Sequence, residues 1–186
     1  MTTLTAKRIP LTSGHRSVQS IRGEGALVGF SLVGARKHVS GREDWTLLSI
    51  ACSDRSLLPI QLQKALYLVG CQYPAVVGPS FYQFRTVSAG HFSEDIYADV
   101  DLLSDAGLIK IDQTADDASR RYRATPAGDA RAKALRKALR PDVIDYLQSV
   151  VHWASAHTVD QLRRATADVP IPADLASKSG RPLPPR

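Results

Sequence analysis

The chain has only two cysteines and one methionine in 186 residues. Cys52 and Cys71 both lie in apolar, helix-like stretches without C-x-x-C spacing. That argues against a zinc ribbon or a disulfide framework and for packed thiols in a reducing compartment. No apolar run approaches the ~18 residues that mark a membrane-spanning helix, and the N-terminus lacks the apolar core of a signal peptide. The expected location is the cytoplasm, with no membrane partner. No G-x-S-x-G, P-loop or H-E-x-x-H motif occurs, so no enzyme is expected. The glycine-rich GEGALVG over 23–29 follows no strand and opens no helix, which removes a nucleotide site. His15, His38, His91, His152 and His157 are scattered, and a helix break separates the last two. No metal and no cofactor is expected.

What remains is ordinary for a folded domain: 44% hydrophobic and 23% charged residues. The length suits one domain with a sizeable core plus tails. A net charge of +6 admits an acidic partner, nucleic acid above all.

Residues 1–40 carry Lys7, Arg8, Arg16, Arg22, Arg36 and Lys37 without helical or alternating period, and read as a flexible basic arm. The ordered body begins near REDWTLLSIACSD, a helix with Glu43 and Asp44 in its first turn and Trp45, Leu48 and Cys52 on one face. A second helix, LLPIQLQKALYLVG, starts at Pro59 and ends at Gly70, with Leu62, Ala65, Leu66 and Val69 inward. YPAVVGPS reads as a turn-rich connector and FYQFRTV, 81–87, as a strand. Ser93 then caps a third helix, Phe92 packs on Tyr97 as a hydrophobic staple, and Gly107 ends the helix. Its buried face is marked by Ile96, Val100, Leu103 and Gly107.

LIKI and RRYRAT form a hairpin across DQTADDAS. Thr125 caps the next helix, TPAGDARAKALRKALR, with Pro126 in first position. Ala127, Ala130, Ala134, Leu135, Ala138 and Leu139 form its apolar side, interrupted by Arg131, whose head snorkels to solvent. Lys133, Arg136, Lys137 and Arg140 form its basic side. DVIDYLQSVVHWASA follows, with Val143, Leu147, Val150, Val151 and Ala154 in one stripe and Trp153 as a packing residue. TVDQLRRATADV opens with a capping box, Thr158 with Gln161. The proline-rich tail over 171–186 has no periodicity and reads as disordered or loosely draped.

This order predicts a mainly α fold with a small β-hairpin, a winged helix-turn-helix with a C-terminal helical extension. Strand 81–87 edges the wing in that scheme. The domain runs over 41–140 and the extension over 141–170, through whose helices a homodimer is expected.

The stretches LQKALYLVG, FYQF, GHFSEDIYADVDLLSDAGLI and YRATPAGDARA together resemble bacterial winged-helix proteins of unknown role. They are also similar to Panacea-type antitoxin domains and, more distantly, to PadR-like regulators. The resemblance covers about residues 44–140. It implies a regulator, of a defence or toxin–antitoxin locus, or an antitoxin-like partner of another protein. This chain departs from the family pattern over RTVSAGH, 85–91, where the family has an aromatic PY.YGP loop, so contacts through that loop are not carried over.

Charge is polarised along the chain. From Glu94 to Asp117 eight acids face Lys110 alone, and from Arg120 to Arg140 eight bases face Asp129 alone. A helix carrying Glu94, Asp95, Asp99, Asp101 and Asp105 is repelled by DNA phosphates and offers no Arg, Lys, Asn or Gln to base edges. One reading therefore moves double-stranded DNA onto Arg120, Arg121, Arg123, Arg136, Lys137 and Arg140, helped by Arg85, Ser88 and His91. A second makes the five acids a protein-docking face. A third pairs Asp112, Asp116 and Asp117 with Arg120, Arg121 and Arg123 across the hairpin, each exposed pair contributing about 0–1 kcal/mol.

Overall fold

The computed structural model describes residue 39 and residues 41–88, 90–114, 117–167, 169–171 and 175. The expectations for nearly all of the arm over 1–40, for Asp116 and for most of the tail lie outside these residues.

The fold is mainly helical with small antiparallel β-pairs. Helix α1 (Arg42–Ala51) buries Trp45, Leu47, Leu48 and Ile50 and keeps Glu43 and Asp44 at its positive end. Beyond it Leu57 is extended, and its N–H and C=O both bond to Tyr122 at 2.9 Å. Helix α2 (Pro59–Gln72) starts at proline as expected, and the Gln61 side chain accepts from the Leu58 N–H at 2.8 Å. Residues 61–67 are all buried, which makes α2 the central helix.

Gly70 does not end α2. A Cβ there would lie 2.8 Å from the Phe81 ring and 2.9 Å from Leu175, so the missing side chain serves close packing rather than termination. Leu175, inside the proline-rich tail, is buried at 3% exposure and its carbonyl accepts from Phe84 N–H. The expected connector over 73–80 contains a single helical turn, α3 (Pro74–Val77), closed by Gly78 at φ 78°.

The strand over 81–87 is mostly absent. Phe81, Tyr82 and Phe84 are all buried, against alternation, because Phe81 meets Trp45 edge-on at 6.3 Å and Phe84 meets Tyr67 at 5.2 Å. Only β1 (Arg85–Val87) is strand, and it pairs with β2 (Gly90–Phe92), Arg85 opposite Phe92. It does not edge the later hairpin; Leu57 occupies that position.

Helix α4 (Asp95–Asp105) begins after Ser93 rather than on it, because both backbone groups of Ser93 are held by the Gln63 side-chain amide at 2.7 and 3.0 Å. The Phe92–Tyr97 staple forms, with ring centroids 5.8 Å apart. Gly107, at φ 69°, ends the helix: its N–H bonds Ser104 O and Leu108 N–H bonds Leu103 O, the paired closure of a left-handed C-terminus. Gly107 itself is exposed. Strands β3 (Ile109–Thr114) and β4 (Asp117–Ala124) then pair antiparallel, longer than LIKI and RRYRAT alone.

Thr125 accepts from Gly128 N–H at 3.1 Å and opens α5 (Pro126–Arg136). The helix is rotated from the expected face: Gly128, Ala132 and Leu135 are buried, while Ala127, Ala130 and Ala138 are exposed. The reason is local. A Cβ at Gly128 would collide with the Leu108 carbonyl, so the helix touches backbone there, and the stripe at i, i+4 and i+7 runs from that contact.

Helix α6 (Pro141–Ala156) buries all five residues of its expected stripe. That stripe packs against α2 of the same chain. Trp153 packs partly buried beside it. Helix α7 (Val159–Ala167) carries its capping box, with Thr158 N–H to Gln161 Oε1 at 2.9 Å and Gln161 N–H to Thr158 Oγ1 at 3.3 Å. Both cysteines are free and half-buried. No helix among the described residues is long and apolar enough to cross a membrane.

Candidate nucleic-acid interface

Four of the five acids from Glu94 to Asp105 are counterions. Arg42 pairs with Asp95 at 2.6 Å and with Asp99 at 3.0 Å, Arg85 pairs with Glu94, and Arg120 reaches from β4 to Asp101. Asp99 is 8% exposed and accepts from the Tyr82 hydroxyl at 2.6 Å, which takes it out of any docking face. Burial first, and the bond to Asp99 next, push the Tyr82 phenol far up, so it stays a donor. Asp105 remains exposed, and Leu102 beside it is 58% exposed.

The basic residues divide in the same way. Arg120 is held by Asp101 and covers the Tyr122 ring at 5.9 Å. Arg136, half-buried, donates to Ala51 O at 2.8 Å and to Cys52 Sγ at 3.4 Å. Those acceptors lie at the C-terminus of α1, where a cation is favoured by the helix dipole. Arg131 turns inward to Asp44 instead of snorkelling. His91 is 5% exposed; its Nε2 lies 2.7 Å from Val169 O and its ring packs on Tyr67 at 4.2 Å. Burial lowers its pKa, so it is not a surface cation. Ser88 is exposed, with its carbonyl taken by Arg163 at 2.6 Å. Arg85 is turned to Glu94.

What is left outward comes from the hairpin and the end of α5. In β3–β4 the inward residues Ile109 and Tyr122 are buried. The alternate positions point away from the core: Lys110 stands directly opposite Arg123 and Asp112 opposite Arg121. Lys110 pairs with Asp112 at 2.9 Å, and Arg123 donates to Ser56 Oγ at 3.2 Å. Lys133, Lys137 and Arg140 are exposed, Arg140 against Asp142 at 2.9 Å. Asp112 therefore pairs along its own strand with Lys110, and Arg120 pairs with α4 rather than across the hairpin.

Lys110 and Lys133 are absent from the residues that sequence alone proposes for DNA. The signal for Lys110 is visible in LIKI: a base between two isoleucines at strand period points opposite to them. Among the described residues no group of three or more His, Cys, Asp or Glu is placed to hold a metal ion. Compared with family models, curated proteins and solved structures, the chain matches none.

Proposed function

We propose that the protein is a winged-helix DNA-binding protein, a non-enzymatic transcriptional regulator that meets duplex DNA with its β3–β4 wing. The element order supports the fold reading: α1, the Leu57 bridge to β4, α2, α4 and then the hairpin, with residues 73–94 placed between the second and third helices of the motif. The observation that carries the DNA reading is Lys110 opposite Arg123 on the outward face. Like charges directly across an antiparallel pair are destabilising. A phosphate backbone lying along the wing offsets that repulsion and releases counterions. Arg121 and Arg123 share the face at i and i+2, and Lys137 and Arg140 are the further phosphate contacts. Helix α4, with no base along its length, lies away from the groove floor.

The test is fluorescence anisotropy on a duplex across a salt series. Replacing both Lys110 and Arg123 with alanine lowers the slope of log affinity against log salt by about 1.8, since each phosphate contact contributes ~0.9. An unchanged slope ends the wing reading.

Exposed Leu102 supports a second reading, a partner protein seated on α4 with an apolar pocket for that leucine and a base for Asp105. Leu102→Asp then abolishes the complex and leaves DNA affinity unaltered; a DNA loss of the same size counts against it.

A further inference from the structure

A cleft of about 480 Å³ opens between the β1–β2 hairpin and α7. Its walls include Val87, Gly90, His91, Arg163 and Arg164. Behind Gly90 lies Lys64 of α2, an entirely buried lysine. A Cβ on Gly90 would collide with the Lys64 ammonium; the glycine, at φ 90°, leaves that ammonium directly beneath the cleft wall. The Lys64 amine donates to His91 O at 3.2 Å, and among the described residues no carboxylate pairs with it. A buried cation without a counterion is costly.

The other cations are also under-compensated. Arg164 donates to the Asp160 carbonyl at 3.3 Å and has no carboxylate partner among the described residues. Arg163 donates to Ser88 O, and its carboxylate partner among the described residues is Asp160 at 3.8 Å. His91 donates Nε2–H to Val169 O, and its buried Nδ1 has no partner among the described residues. Two guanidinium groups thus line a concave space with one loosely paired acid, the methyls of Val87 at its side and the Lys64 charge behind its wall.

We propose that this cleft binds the phosphate group of a small molecule, with Arg163 and Arg164 as its donors and the buried Lys64 charge favouring the anion from behind the wall. A phosphate presents a double charge and three strong acceptor oxygens, and two guanidinium forks match that geometry better than they match a carboxylate. The volume suits a metabolite-sized ligand. The site is independent of the DNA reading, since neither Lys110 nor Arg123 takes part.

Isothermal titration calorimetry of the full chain at constant ionic strength tests this, with glycerol 3-phosphate, inorganic phosphate, acetate and glycerol as probes. Both phosphate-bearing probes bind saturably, and Arg164→Ala, at an exposed position that leaves the core intact, weakens them about tenfold or more. Lys64→Met, checked for folding by circular dichroism, weakens them by less, since it removes only a charge behind the wall. Tighter binding of glycerol 3-phosphate assigns an organic ester, and tighter binding of inorganic phosphate assigns the free ion. Equal binding to wild type and Arg164→Ala overturns the proposal, as does acetate matching phosphate or the absence of heat from either phosphate probe. If Arg164→Ala weakens duplex DNA while neither probe binds, the cleft is part of the nucleic-acid face and the proposal fails. Lys110→Ala with Arg123→Ala leaves phosphate binding unchanged, which separates this site from the wing.

Discussion

Arg131 of α5 reaches the carboxylate of Asp44 in α1 at 3.1 Å, with the two side chains only 18% and 6% exposed. The pair ties the helix after the wing to the first helix of the body. Its partners are 87 positions apart in the chain.

Removing either member takes an ion-pair partner from a largely buried charge. Arg131→Ala is expected to lower the unfolding free energy by about 1–3 kcal/mol in urea denaturation, with the double variant Arg131→Ala and Asp44→Ala losing less than the sum of the singles. A loss below about 1 kcal/mol for Arg131→Ala would mean that water reaches the pair.

Neighbours in sequence, Arg136 and Lys137 differ in role. Arg136→Ala removes the bond to Ala51 O at 2.8 Å and is expected to cost about 1–2 kcal/mol, with no change in the salt dependence of DNA binding. Lys137→Ala is expected to change stability by no more than about 0.5 kcal/mol while lowering the salt slope by ~0.9. Thermal unfolding and anisotropy on both variants check the contrast; exchanged outcomes would refute it.

Burial, and then the charge of Arg163, lower the Lys64 pKa from 10.5 to about 8. Between these values the unfolded chain binds the proton and the folded chain does not, so this group makes stability rise with pH across that window. Below about pH 8 the cost of charging the buried amine is fully present. Tyrosines also titrate at the alkaline end, so the measurement is a difference: wild type gains on Lys64→Met by up to about 1.4 kcal/mol per pH unit from pH 8 to pH 10. A pH-independent difference would show that Lys64 titrates normally.

Gly128→Ala places a methyl against the Leu108 carbonyl, a backbone atom that cannot rotate away. The expected loss is about 1–3 kcal/mol despite the better helix propensity of alanine. A stabilised variant in chemical denaturation would contradict the contact.

The sequence reached whatever is settled within a few residues. Thr125, the Thr158–Gln161 box, the Phe92–Tyr97 staple and Gly107 act on their own helices, and each sits where its chemistry predicts. The stripe from Val143 to Ala154 follows from helical period alone. Where packing partners decide, local signals misled. FYQF alternates poorly because three aromatic side chains fill the core from both sides, and Gly70 and Gly128 look like helix ends or neutral positions although both are close approaches.

The candidate site divides along the same line. The sequence by itself determined the longer helices, most of their caps, the hairpin and the uneven sum of charge along the chain, because these depend on neighbours and period. Only the tertiary structure decided which charges face outward, because an ion pair forms through space between residues far apart in the chain: Arg42 with Asp95, Arg120 with Asp101, Arg131 with Asp44. Once those pairs are made, Asp95, Asp99 and Asp101 of α4 and Arg120, Arg131 and Arg136 after it are internal ties. Lys110 against Arg123 remains on the wing, and Lys64, behind the cleft wall, has no carboxylate partner among the described residues.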